Sequence, residues 1–221
     1  MSKHLQRNLE LIEQKLLRLA TRVEESVRLS VTALLDGRIT LAETVIDNDR
    51  EIDRYEVELE EECLKALALH QPVATDLRFV AACLKINNDL ERIGDLAANI
   101  AERAISLAAC PELAIPDLIS SMVDDCSRML RESIDAFVQG DPRLARRVCD
   151  EDERVDQANR KVISQLLKRM HEDPNLINPA LELVSAAKAL ERIADHATNI
   201  AEDVVYLVEG DIIRHQLSLE A

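Results

Sequence analysis

Tryptophan is missing from this chain, and the whole aromatic share is 2%. A core must therefore be built from Leu, Ile, Val and Ala. Of these, Leu and Ala are strong helix formers and only Val and Ile lean toward strands. Glycine is nearly as scarce, with four residues, which leaves no glycine-rich loop to cradle a phosphate. The five cysteines, Cys63, Cys83, Cys110, Cys126 and Cys149, are odd in number, widely spaced and never arranged as Cys-x-x-Cys. Neither a disulfide framework nor a zinc–thiolate site follows, and most of them read as small core residues. No apolar run approaches the length of a membrane span. The start, Met1-Ser2-Lys3-His4-Leu5-Gln6-Arg7, runs straight into charged amphipathic sequence with no signal-peptide pattern. A cytoplasmic protein without direct membrane insertion is expected.

What is present fits a helical bundle. Apolar residues make up 47% of 221 positions, enough to pack one large domain or two small ones. The formal charge is -15. Such a surface repels nucleic acid, whose binding depends on phosphate neutralisation, and argues against unaided docking on an anionic membrane. It suits cations or basic partners, and it equally serves plain solubility.

Glycine and proline punctuate the chain. Gly37, Gly140 and Gly210 fall where helices should end, because glycine accepts the left-handed cap conformation. Pro72, Pro111, Pro116, Pro142, Pro174 and Pro179 mark the remaining breaks. Asp141-Pro142 and Asn178-Pro179 each read as an N-cap followed by a first-turn proline, and Thr75 and Asp76 are candidate caps after Pro72. Between breaks, apolar residues recur at spacings of three and four. One run is Leu5, Leu9, Ile12, Leu16, Leu19, Val23, Val27, Val31 and Leu34. Another is Ile119, Met122, Cys126, Met129 and Phe137, with Ser133 as the polar exception. This is the stripe of an amphipathic helix on a bundle core. It predicts helices at about 3–36, 39–70, 75–109, 116–139, 142–172 and 179–209, with a short tail helix after Gly210. Short connections make neighbours antiparallel.

The strongest internal signal is a repeat. The stretch Leu90-Glu91-Arg92-Ile93-Gly94-Asp95-Leu96-Ala97-Ala98-Asn99-Ile100-Ala101-Glu102 returns as Leu190-Glu191-Arg192-Ile193-Ala194-Asp195-His196-Ala197-Thr198-Asn199-Ile200-Ala201-Glu202, with ten of thirteen positions identical. Upstream, Val45-Ile46-Asp47-Asn48-Asp49-Arg50-Glu51-Ile52-Asp53 resembles Val148-Cys149-Asp150-Glu151-Asp152-Glu153-Arg154-Val155-Asp156. The chain is a duplicated unit. Two units are too few for a solenoid, so the expected architecture is all-α: two tandem three-helix bundles of six long antiparallel helices, with repeats at 1–110 and 111–221.

Each half carries two acidic pairs four residues apart. These are Asp49 with Asp53 and Glu91 with Asp95, then Asp152 with Asp156 and Glu191 with Asp195. Such pairs share one helix face and repel each other. A cation between pairs on antiparallel neighbours would offset that repulsion, and hard oxygen ligands suit magnesium, manganese, calcium or iron. At roughly 100° per residue, Leu90, Ile93, Ala97, Ile100 and Ala104 form the buried stripe. Glu91, Asp95, Asn99 and Glu102 then lie on a second, solvent-open stripe. The alternative is that these acids are only a solvated face, partly paired with Arg92 and Arg192. His196, with Leu96 at the matching place, reads as a surface or boundary residue or as an extra ligand. Asn99 and Asn199 read as carboxylate partners or as helix contacts. Arg78 reads as a partner contact or a salt bridge.

The pattern L-E-R-I-x-D-x-x-x-N-I, present twice, resembles the signature of the PhoU family of phosphate-uptake regulators. The stretch Gln71-Pro72-Val73-Ala74-Thr75-Asp76-Leu77-Arg78 resembles that family's entry to its third helix, without a clear counterpart in the second half. The resemblance covers essentially the whole chain. It implies negative regulation of phosphate transport and of the starvation response by a non-enzymatic adaptor between the phosphate-transporter ATPase and a phosphate-sensing histidine kinase. It also implies iron, zinc or other divalent or trivalent ions on the carboxylate patches, and a homodimer is expected. Two other functions compete. A carboxylate-bridged di-metal enzyme would need core-facing Glu-x-x-His pairs, and none surrounds His4, His70, His171, His196 or His215. A metal-free helical scaffold needs nothing further.

Overall fold

The computed structural model describes residues 3–213, and among them the regular structure is entirely helical. The elements are α1 (Lys3–Asp36), α2 (Ile39–His70), α3 (Ala74–Ala108), α4 (Asp117–Gln139), α5 (Pro142–Glu172), a 3₁₀ turn (Pro174–Leu176) and α6 (Ile177–Glu209). The predicted stripes are the buried ones. On α1, Ile12, Leu16, Leu19, Val23, Val27, Val31 and Leu34 are all inside, while Leu9 is half-buried. On α4 the polar exception Ser133 is fully buried and donates its hydroxyl to the Leu130 carbonyl at 2.7 Å, so burial leaves no unpaired donor. Cys63, Cys83, Cys126 and Cys149 are buried free thiols.

Helix ends follow local chemistry, with two departures from the sequence reading. Gly140 and Gly210 close α4 and α6 in the left-handed conformation. Asp141 caps α5, its Oδ1 accepting from the Arg143 and Leu144 amides. At α3, however, neither Thr75 nor Asp76 is the cap. The helix starts at Ala74 after an extended Val73, and Asp76 instead lies in the first turn, where the helix dipole favours an acid. At α6, Asn178 is not the cap either. Asp173 accepts from the Asn175 amide and starts the 3₁₀ turn that runs directly into α6 at Ile177. Pro179 is tolerated in the first turn because those amides have no intrahelical partner anyway. Residues 210–213 are not helical, and the rest of the expected tail helix lies outside the described residues.

Helices α1–α3 form one bundle and α4–α6 the other, with α3 packed on α6 between them and α1 touching α4. Polar contacts show that α3 and α6 run antiparallel. Lys85 meets Asp203 at 2.9 Å, Asp89 meets His196 at 2.8 Å, and Arg103 meets Glu182 at 3.2 Å. Arg103 and Asp203 occupy matching places in the two repeats and carry opposite charge. The second half therefore does not copy the first at the seam, where each helix must complement the other. Among the described residues, no helix is long and apolar enough to cross a membrane.

Candidate functional site

The acidic pairs of each half come from adjacent antiparallel helices, α2 with α3 and α5 with α6. In the first half, one carboxylate oxygen from each of Asp49, Asp53 and Asp95 falls within 4.8 Å of the others. Gly94 permits this approach. A Cβ built on it would lie 3.1 Å from Ile52 Cγ2 and 3.8 Å from Asp49 Oδ1, so the absence of a side chain lets α2 settle against α3 beside the cluster.

The acids are less open than their helical stripe suggested. Asp49, Glu91, Asp152, Asp156 and Glu191 are only half-exposed, and Asp53, Asp95 and Asp195 are exposed. They line the groove between two helices rather than the outer face of one. Burial pushes the Asp49 carboxyl above its ordinary range, and the charges of Asp53, Asp95 and Glu102 push it further. Glu91 is raised by burial and then by Asp95, with Arg92 opposing. Arg92 reaches both Glu91 (3.4 Å) and Asp95 (3.5 Å), but an exposed arginine holds such partners weakly.

In the second half Asp152 is pushed up to about 6, first by burial and then by Asp195 and Asp156. Thr198 donates its hydroxyl to it at 3.4 Å. Asp195 is raised by burial, Glu191 and Asp156, against His196 and Arg192. Glu191 is raised by burial, Asp156 and Asp152. The four carboxylates feel one another, yet the close trio of the first half is the one that forms among the described residues. Arg160, 3.9 Å from Asp156, provides a competing partner.

Glu56, Asn87 and Asp89 escaped the sequence reading. Glu56 extends the first cluster by one helical turn, raised by burial, Glu60 and Asp53, and buried Asn87 donates to its side chain and its carbonyl. His196 and Asn199 both turn to Asp89 of the other bundle, at 2.8 and 3.3 Å. They fasten the two repeats together. At two matched positions where the repeats differ, Leu96 against His196 and Arg103 against Asp203, the residues His196, Arg103 and Asp203 reach the other half. Arg78 donates to the Leu207 carbonyl at 3.4 Å and to Thr75 at 3.3 Å, placing a cation at the C-terminal end of α6, where the dipole favours it.

Chemically, the grooves are oxygen-only cages whose carboxylates repel. The ligand set suits a hard cation and offers no thiolate or imidazole to select a softer one. The trio, in which the Asp49 carboxyl is raised by burial and by the charges of Asp53 and Asp95, fits such an ion, which would relieve the repulsion.

The PhoU domain matches the chain twice, over residues 16–104 and 119–204. The chain is 40% identical over 210 residues to a Pseudomonas aeruginosa protein named phosphate-specific transport system accessory protein PhoU homolog, covering 94% of this chain and 86% of that one. It is 41% identical over 210 residues to the Aquifex aeolicus protein of the same name, covering 95% of each. Its fold is similar to the crystal structure of PhoU from Pseudomonas aeruginosa, with a TM-score of 0.91 at 38% identity over 93% of this chain and 99% of that one. The phosphate transport system regulatory protein PhoU from Streptococcus pneumoniae superposes with a TM-score of 0.87 at 28% identity, over 94% and 98%. With the domain matched in both halves and relatives aligned over nearly their full lengths, the chain belongs to the PhoU family.

Proposed function

We propose that this protein is a non-enzymatic regulator of phosphate uptake that restrains the transporter and the starvation response when phosphate is plentiful. In this reading it is a cytoplasmic homodimer and acts as an adaptor between the transporter's ATPase and a phosphate-sensing histidine kinase. The observation that carries it is the double domain match together with near-full-length similarity to proteins named accessory to phosphate-specific transport. A rigid pair of bundles suits an adaptor, since each partner can be presented a fixed helix face.

The acidic grooves have a part in this role. Asp49, Asp53, Glu91 and Asp95 would hold ions in one half, and Asp152, Asp156, Glu191 and Asp195 in the other. Magnesium, manganese, iron and zinc are the candidates. A bound ion would supply charge neutralisation, turning a repelling groove into a fixed surface for a partner. The decisive test of the role is deletion of the gene, with growth in phosphate-rich medium. Starvation genes should be derepressed and repression restored by the gene in trans. Normal repression in the deletion strain, with no second copy of the family in the genome, would refute it.

A further inference from the structure

Besides the α3–α6 seam, the two bundles meet at α1 and α4, over a smaller contact. Between these two helices lies a cleft of about 370 Å³. Glu24, Val27 and Arg28 of α1 line one wall, and Ser127, Leu130 and Arg131 of α4 line the other. The walls are matched positions of the two repeats. Buried Ser30 donates to the Val27 carbonyl and buried Ser133 to the Leu130 carbonyl. That shared feature aligns Val27 with Leu130 and, one residue on, Arg28 with Arg131.

Neighbouring charges are satisfied within each wall. Glu25, which also lines the cleft, is held by Arg22 at 3.5 Å. Its counterpart Arg128 is held by Asp125 at 2.8 Å and by Glu151. The two matched arginines are different. Arg28 and Arg131 bring like charge to one cleft from opposite helices, and neither makes an ion pair among the described residues, although the chain carries 42 acids to 27 bases. Glu24 has no ion pair there either. It is half-buried, and burial raises its carboxyl above the ordinary range, with the charge of Arg131 opposing and that of Asp135 adding to the rise. The cleft thus holds two guanidinium forks, the Ser127 hydroxyl and one carboxylate over an apolar floor of Val27 and Leu130.

Guanidinium forks match the oxygens of a tetrahedral anion. An ionised carboxylate can only accept a hydrogen bond. Beside such an anion it repels, unless the anion carries a proton to give it. Hydrogen phosphate carries one, and sulfate does not. We infer that this cleft binds a phosphate group bearing an O–H, its oxygens held by Arg28, Arg131 and Ser127 and its hydroxyl donated to Glu24. Free phosphate and the terminal group of a nucleoside triphosphate share that chemistry. The inference rests on the proposed role for its biological meaning, and adds a place where plentiful phosphate acts on the protein itself.

The probe is inorganic phosphate, titrated by calorimetry into the purified full chain at neutral pH. Chelator is present, so that metal in the acidic grooves cannot carry the anion. Sulfate and ATP are titrated alongside. Phosphate should bind at least about tenfold more tightly than sulfate, the weight of one hydrogen bond to a charged group. Arg28→Ala and Arg131→Ala should each weaken phosphate binding at least about tenfold on the same ground. Glu24→Gln should bring phosphate and sulfate within about threefold of each other, because the charged acceptor and its repulsion of sulfate go together. These side chains are exposed or half-buried, so thermal melts should stay close to wild type. Whichever of phosphate and ATP binds more tightly through the two arginines names the source of the group. Sulfate binding as tightly as phosphate to wild type, binding unmoved by the arginine variants, or no binding of either phosphate or ATP each overturns the site. Failure of the site and failure of the role are separable. Derepression in the deletion strain without anion binding keeps the role and removes the site. Normal repression with arginine-dependent binding does the reverse.

Discussion

Ile52 packs over Gly94: a Cβ at that glycine would sit 3.1 Å from Ile52 Cγ2 and 3.2 Å from Cδ1. The matching positions of the second repeat are Val155 and Ala194. One methyl group is smaller on one helix and larger on the other, so the two halves fill the same space differently.

Exchanging that methyl tests the relationship. Gly94→Ala gains roughly 1 kcal/mol of helix propensity and crowds fully buried Ile52, with overpacking of this kind costing about 1–3 kcal/mol. Ile52→Val alone removes buried volume and costs about 0.5–1.5 kcal/mol. Combined, they reproduce the pairing of the second repeat. Urea unfolding should show a favourable coupling of about 1 kcal/mol. Additive effects would mean that the two residues do not share the space.

The acidic grooves predict a pH dependence for the metal-free protein. Asp152 has a folded pKa of about 6, above the ordinary aspartate value, because burial and the charges of Asp195 and Asp156 disfavour its ionised form. The folded state thus holds the proton more tightly than the unfolded one. Its contribution to stability is full below the unfolded pKa, near 4, and is lost as pH rises through about 6. Asp49, Glu91, Glu191 and Asp195 shift in the same direction. Asp141 and Glu209 shift oppositely, lowered by the amides of α5 and by Arg146 respectively, and their contributions are lost only as pH falls below the usual carboxylate range. With chelator present, the melting temperature should therefore be higher at pH 5 than at pH 7. Asp152→Asn should narrow that difference, and an unchanged difference would show that Asp152 is not its source.

Added manganese should reverse the repulsion at neutral pH. At a hundredfold excess over Kd, an ion bound only by the folded state stabilises it by about 2.7 kcal/mol. Asp95→Asn and Asp195→Asn remove charge with little change of shape. Each should lower metal content by elemental analysis while leaving the helical circular dichroism intact. Binding should weaken toward pH 5, as protons compete for the same oxygens. Equal metal content in the double variant and wild type would reduce these acids to a solvated face.

At the seam between repeats, Asp89 is buried and accepts from both His196 and Asn199. Asp89→Ala should cost about 1–3 kcal/mol, since it leaves polar groups in a dry contact. A double-mutant cycle with His196→Ala should recover part of that loss. Denaturant midpoints read the effect, and independent losses would show that the pair does not join the halves.

Much of this was legible beforehand. The buried stripes of α1, α3 and α4 follow from spacings of three and four, because a straight helix carries its periodicity wherever it packs. Asp141 announced the start of α5, since a cap needs only its own next three residues. The caps assigned to Thr75, Asp76 and Asn178 failed where the connection itself adopts structure. The left-handed Ala74 and the 3₁₀ turn at Pro174–Leu176 start the helices earlier. The acidic pairs were visible as pairs, but their half-burial was not, because one helix's stripe says nothing about the width of the groove beside it.

The helices, their inward faces, the duplication and the placement of acids in matched pairs are all written in the order of residues, because they depend on contacts within a few residues or on comparing one half with the other. Which acids meet, and how His196, Asn199, Lys85 and Arg103 are used, follows only from the packing of the helices. Those outcomes depend on the separation of helices distant in the chain. At Gly94 that separation is set by the lack of a single side chain, and at the seam by charges that differ between the repeats because two identical faces would not have complemented each other.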